Sequence, residues 1–222
     1  GGALLFEGIE YGLTVNHTDG TALHGEAYDA PWDVIDDGRL RHVGHGAFPW
    51  RYTAELELDI ASSGFKVTLT VTNIDRRAMP AGVGLHPWFA APLSLALPAA
   101  LVYPAARGHW ADVPTPVSGA TDFRSLRPVR WGLDAPWAGL TTDTARLVVA
   151  GVDLELRWST TVTTVMVNSH EPFGAVAIEP QSHAPDGFGR LANGAEGGVA
   201  VLQPGEQLSL WMALRPHRPV GG

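Results

Sequence analysis

The 222-residue chain carries 15 Lys and Arg against 23 Asp and Glu, a net charge of −8, and no cysteine. The acidic balance, with Lys66 the only lysine and no basic tract, argues against a nucleic-acid partner, which needs a cationic face. The missing thiols exclude disulfides and thiolate metal centres. Gly 26 and Pro 17, without sustained helical periodicity, suit many strands joined by turns in a single domain over 1–222. The visible N-terminus has neither a charged signal-peptide start nor an apolar spanning run, so the expectation is a cytoplasmic protein without a membrane partner.

In chain order, Ala3 to Val15 alternates loosely, with Leu5, Ile9, Tyr11, Leu13 and Val15 on one side, and a turn at Glu7-Gly8 predicts a hairpin. A polar turn follows from Asn16 to Thr21, then Leu23-His24-Gly25. Ala30 to Val34 leads into a short strand from Arg39 to Val43. Arg51 to Ile60 sets Tyr52, Ala54, Leu56, Leu58 and Ile60 against Arg51, Thr53, Glu55, Glu57 and Asp59. Ser62-Ser63-Gly64 turns it back into Phe65 to Asn73, a hairpin by strict alternation. Leu93 to Tyr103, broken by Pro98, reads as two short edge pieces, and Ala105 to Pro128 as irregular. Asp143 to Val149 and Val152 to Ser159 form a hairpin about Ala150-Gly151, and Thr161 to Asn168 is strand-like. Val199 to Leu202 and Gln207 to Arg215 read as a closing hairpin through Gln203-Pro204-Gly205-Glu206. The class is all-β, best fitted by a large antiparallel sandwich.

Two segments share a design. The apolar run Phe173 to Ile178 ends in Glu179, followed at once by Pro180, so a buried strand is expected to stop there with a carboxylate at the mouth of the core. Removal from water raises such a carboxyl toward the range of a general base. The plainer alternative is a solvated or arginine-paired strand-end Glu. In Gly82 to Phe89 a strand-like approach ends in His86, held by Pro87 and followed by Trp88. A carboxylate and an imidazole at two such ends can act as base and acid across one pocket. Each further candidate has a structural alternative: His24 as a turn histidine, Asp134 as a turn former, Trp88 and Trp137 as core packing, and His183 as a loop tether. His17 and His24, or His42 and His45, lack a metal-ligand pattern, and there is no Gly-x-Ser-x-Gly elbow or phosphate-cradling loop.

Leu23-His24-Gly25, Gly84-Leu85-His86-Pro87-Trp88-Phe89, Leu133-Asp134-Ala135-Pro136-Trp137 and the run Ile178 to Asp186 occur in the order seen in the aldose 1-epimerase (galactose mutarotase) family. Ala30-Pro31-Trp32, Val71-Thr72-Asn73 and Leu202-Gln203-Pro204-Gly205-Glu206 resemble it too. The resemblance implies a β-supersandwich and a cofactor-independent isomerase that interconverts the α and β anomers of a hexose. It implies Glu179 as general base, His86 as general acid, His24 hydrogen-bonding around the anomeric carbon and Asp134 on sugar hydroxyls. Trp88, Trp137 and His183 would line the sugar site, with no metal and no partner beyond the sugar. A hexose-6-phosphate 1-epimerase is the alternative, with Arg76-Arg77 or Arg124, Arg127 and Arg130 as phosphate ligands; so is a non-catalytic carbohydrate-binding domain. Family members usually carry an Asn-Arg pair N-terminal to this sequence's start, and its arginine binds substrate. The sequence has no counterpart, so the start at Gly1-Gly2 reads as either an N-terminal truncation or a naturally short member. If the chain is complete, an uncovered sheet edge and a weakened sugar site are expected, with Arg51 or Arg76 as possible compensation.

Overall fold

The computed structural model describes residues 2–18, 20–44, 46, 48–106 and 109–217. Gly1, Asp19 of the first polar turn, and His45 lie outside the described residues. Antiparallel strands make up nearly all the regular structure, with one α-helix, Gly187–Ala192, among the described residues. Among them no helix is long and apolar enough to cross a membrane. The chain divides into two compact units: Gly1–Leu58, Thr68–Val83 and Asp186–Ser209 form the first, and Asp59–Val67, Gly84–Pro185 and Leu210–Gly222 the second.

In the first unit the opening hairpin pairs Ala3–Phe6 with Ile9–Gly12. Glu7 and Gly8 take φ of 51° and 76°, the left-handed geometry that matches a two-residue turn to strand twist. The expected buried side is only partly right: Tyr11 and Leu13 do pack against the core, but in the first strand the other set of residues goes inside. Leu4 and Phe6 are buried, whereas Leu5, Ile9 and Val15 are about half exposed. Both faces of Ala3-Leu4-Leu5-Phe6 are apolar, so alternation could not choose between them. The choice falls to the partners Trp50, Tyr52, Met79 and Leu202, which cluster on Leu4 and Phe6, with Phe6 edge-on to Trp50.

The expected closing hairpin is also corrected, because Ala200–Leu202 pairs instead with Met79–Ala81. Asn73 is the reason. It is fully buried, and its Nδ2 donates to the carbonyls of Leu202 and Arg77 at 2.8 and 2.9 Å while Oδ1 accepts from Asp75 N. Its backbone also bonds Gly205 and Glu206. This one residue therefore seats the 203–206 turn through its backbone and the strand before it through its side chain.

In the second unit a six-stranded sheet runs in the order Thr115–Pro116, Ala99–Val102, Asp134–Leu140, Thr164–His170, Ala175–Gln181, Trp88–Ala90. A second sheet includes Arg127–Pro128, Leu93–Ala96, Thr144–Val149, Val152–Trp158 and the last strand, Gln207–Pro216. The two pieces expected on either side of Pro98 exist, but neither is an edge. Each lies inside a different sheet, and Pro98 sits where the chain passes between them, needing no ladder donor. Side chains alternate across the six-stranded sheet. One face carries Phe89, Val102, Trp137, Val165, Val167, Val176 and Ile178, all buried. The opposite face carries Trp88, Asp134, Asn168 and Glu179.

Candidate active site

The strand Ala175–Gln181 does not stop at Glu179; it runs through Pro180 to Gln181. Proline is tolerated because of the side on which its missing N–H falls. Ile178 N donates to Pro87 O, and Pro180 O accepts from Leu85 N. Residues two apart point their backbone groups to the same side of a strand, so the absent donor of Pro180 faces the short 84–87 segment. The ladder with Thr164–His170, in register from Thr164↔Gln181 to His170↔Ala175, loses nothing. Gly84 bridges Gln181 on that same edge, and a Cβ at Gly84 would come within 3.2 Å of Gln181 Cγ. A side chain at 84 would have to push Gln181 aside by a few tenths of an ångström, and the close approach lays His86 alongside Glu179.

The resulting contact is direct: His86 Nε2 lies 3.3 Å from Glu179 Oε1. Glu179 is only 4% exposed, while the His86, Trp88 and Asp134 side chains reach solvent around it. The carboxyl thus sits at the base of a recess with an imidazole and an indole on its rim. Burial pushes Glu179 up to about 7; a 3.4 Å hydrogen bond from Gln181 Nε2 opposes the shift and the negative field of Asp134 adds to it. Burial also pushes His86 below its ordinary range. Each partner is therefore easier to neutralise than in water, and the two can share one proton near neutrality. The sequence suggested a base and an acid facing each other across a pocket, but the structure sets them side by side. That suits proton transfer at two oxygens bound to one carbon.

Asp134 opens a strand rather than a loop: it stands in register with Asn168, which pairs with Ala177, the partner of Trp88. Asn168 Nδ2 donates to Asp134 Oδ1 at 2.9 Å, fixing the carboxylate with one oxygen left for another donor. Trp88 stacks obliquely beside His86, ring centroids 5.3 Å apart. Trp137 is corrected to a core residue: it is fully buried, its Nε1 donates to Thr121 O, and Phe123 meets it edge-on. Odd positions of this strand face the core, so no sugar can stack on that ring. His183 is half-buried, its Nδ1 is 3.4 Å from Ser182 Oγ, and burial lowers its pKa.

His24 belongs to the first unit, exposed, at φ 60° and followed by Gly25 at φ 73°. Left-handed backbone is costly for a side chain other than glycine, and Asn16 holds it there. Asn16 Oδ1 accepts from Leu23 N at 2.7 Å and Nδ2 donates to Leu23 O at 2.8 Å. Sequence reading missed the roles of Asn16, Asn168 and Gln181: Asn168 acts on Asp134 from the neighbouring strand, while Asn16 and Gln181 act on residues nearby in sequence through side-chain hydrogen bonds that alternation and turn patterns do not reveal. Arg51 and Arg76 direct their backbone N–H groups to Asp75 in the first unit. Of the histidine pairs weighed for metal, His45 lies outside the described residues, and among these no three His, Asp or Glu side chains form a ligand group.

An antiparallel β-sandwich with a buried carboxyl in contact with a partly exposed imidazole defines the class, and comparison supplies the family. A model of the aldose 1-epimerase family matches residues 1–215, and the chain belongs to that family. It is 27% identical over 238 residues to the Escherichia coli (strain K12) protein YphB, covering 97% of this chain and 79% of that one. A solved Escherichia coli K12 structure described as a candidate aldose 1-epimerase superposes with TM-score 0.82 at 26% identity, over 97% of this chain and 78% of the other. A galactose mutarotase-like protein of Clostridium acetobutylicum gives TM-score 0.84 at 16% identity, over 98% and 76%, a likeness of fold.

Proposed function

We propose that the chain is an aldose 1-epimerase acting on an unphosphorylated aldose, with Glu179 as base and His86 as acid. The observation that carries this reading is the buried Glu179 carboxyl in contact with the His86 imidazole. In the forward half-reaction the Glu179 carboxylate takes the proton of the C1 hydroxyl as C1=O forms. The C1–O5 bond breaks, its electron pair stays on O5, and His86 Nε2 delivers a proton there. The open-chain aldehyde rotates about C1–C2, and closure on the other face runs both transfers backward, restoring both residues. Both oxygens sit on C1, so adjacent groups serve them without moving apart. Asp134, oriented by Asn168, accepts from a ring hydroxyl, and Trp88 offers an apolar face. Each acid–base partner contributes roughly 10²–10⁴-fold.

Three of the five arginines weighed for phosphate are already engaged, which favours the unphosphorylated substrate. Arg77 pairs with Asp75 and Arg124 with Asp122, while Arg127 donates to the carbonyls of Gly119 and Asp122. Polarimetry of freshly dissolved α-aldoses, with glucose 6-phosphate alongside, is the test. Enhanced decay of rotation, lost in Glu179→Gln with the fold intact, is expected. An undiminished rate in that variant removes the mechanism.

A further inference from the structure

We propose that Trp88 and Phe173 form a subsite for a second sugar ring, so that reducing disaccharides or longer glycans bind better than single aldoses. This rests on the acid–base reading for its orientation. Phe173 is 68% exposed and Trp88 42%, and their rings meet at 5.6 Å and 73°. Scattered exposed apolar residues need no explanation, but these two are contiguous and continue the line from His86 to Trp88. At an interplanar angle of 73° the two rings make a corner whose exposed apolar surface can meet the apolar C–H face of a pyranose. Aromatic rings supply much contact area at little loss of side-chain freedom.

The corner is held in place. Phe173 closes the 3₁₀ turn Glu171–Phe173, stiffened by Pro172 and capped by Gly174 at φ 59°, whose N–H returns to Glu171 O at 2.9 Å. The His170 ring backs the Phe173 ring at 4.1 Å. Direction follows from the chemistry. C1 and O5 of the reacting ring must lie at Glu179 and His86, which turns the opposite side of that ring, where a glycosidic substituent is carried, away from the pair. Trp88 is the next ring beyond His86 and Phe173 the one after it. A protein docked on this corner would cover the recess and block the sugar, so a glycan is the occupant that leaves the site usable.

The test uses the full chain, Phe173→Ala and Phe173→Tyr. Calorimetric affinity and polarimetric kcat/KM are measured for glucose and galactose against maltose, cellobiose and lactose. At least one disaccharide is expected to bind about tenfold tighter than its monosaccharide, a preference abolished in Phe173→Ala and restored in Phe173→Tyr, with monosaccharide values unchanged. Monosaccharide turnover with no disaccharide preference, or a preference indifferent to Phe173→Ala, overturns the subsite and leaves the catalytic reading standing. A Phe173-dependent disaccharide preference in binding without any turnover supports the subsite and removes the catalytic assignment.

Discussion

Replacing Glu179 by Gln should stabilise the protein while abolishing its activity, and the pH dependence of the gain is the sharper test. In the unfolded chain this carboxyl titrates near its ordinary 4.5; in the fold burial moves it to about 7. Below pH 4.5 both states hold the proton and the residue has no effect on stability. Between 4.5 and 7 the folded state retains a proton that the unfolded state releases, so stability falls as pH rises. Above 7 both have lost it, and the folded state carries the full cost of a desolvated carboxylate. At roughly 1.4 kcal/mol per pH unit the cost reaches about 3 kcal/mol. Gln occupies nearly the same volume, has no charge to desolvate, and keeps an oxygen for Gln181 Nε2, now 3.4 Å from Glu179 Oε2. Urea midpoints of both proteins from pH 4 to 9 isolate the effect, because the other titrating groups cancel in the difference. The variant should match the wild type near pH 4 and exceed it by about 3 kcal/mol above pH 8. A difference that stays flat with pH refutes the reasoning. A variant less stable near pH 6.5 points instead to a stabilising Glu⁻–His⁺ ion pair.

The kcat/KM profile for mutarotation, corrected for buffer catalysis, should be bell-shaped, since the active pair carries one proton. Its alkaline limb should fall near pH 7 and its acid limb below the ordinary histidine range. Asp134→Asn removes a negative field on Glu179 and should draw the alkaline limb to lower pH as well as raise KM; an unmoved limb refutes that coupling. His86→Ala should lower kcat by roughly 10²–10⁴-fold with little change in Tm, because the ring is partly exposed. Trp137→Ala should cost about 3–5 kcal/mol in denaturant unfolding, as large-to-small core changes do. Sugar affinity at a temperature where this variant stays folded should be unchanged; a selective loss of affinity would return Trp137 to the site.

Period-two alternation and turn chemistry were enough to place the hairpins about Glu7-Gly8 and Ala150-Gly151, since both depend on neighbours in sequence and on left-handed backbone at the turn. The candidate pair was also legible. Glu179 and His86 each break an apolar approach with a titratable group beside a proline, and their order with His24 and Asp134 resembles the family's. What the string could not hold were relations between strands distant in sequence. Asn168 acts on Asp134 from the neighbouring strand, through a hydrogen bond set by tertiary register, and His86 reaches Glu179 the same way.

The sequence by itself determined an antiparallel β class, the turns, and which ionisable groups stand out against apolar runs, because these follow from local sterics and from side chains alternating across a strand. Tertiary structure decided which face of Leu4 to Phe6 is buried, that Trp137 packs inward, and that Ala200–Leu202 pairs with Met79–Ala81. It also decided that Pro180 interrupts nothing. Each of those outcomes depends on what lies across the sheet from a residue, and a partner's distance through space is not encoded in its distance along the chain.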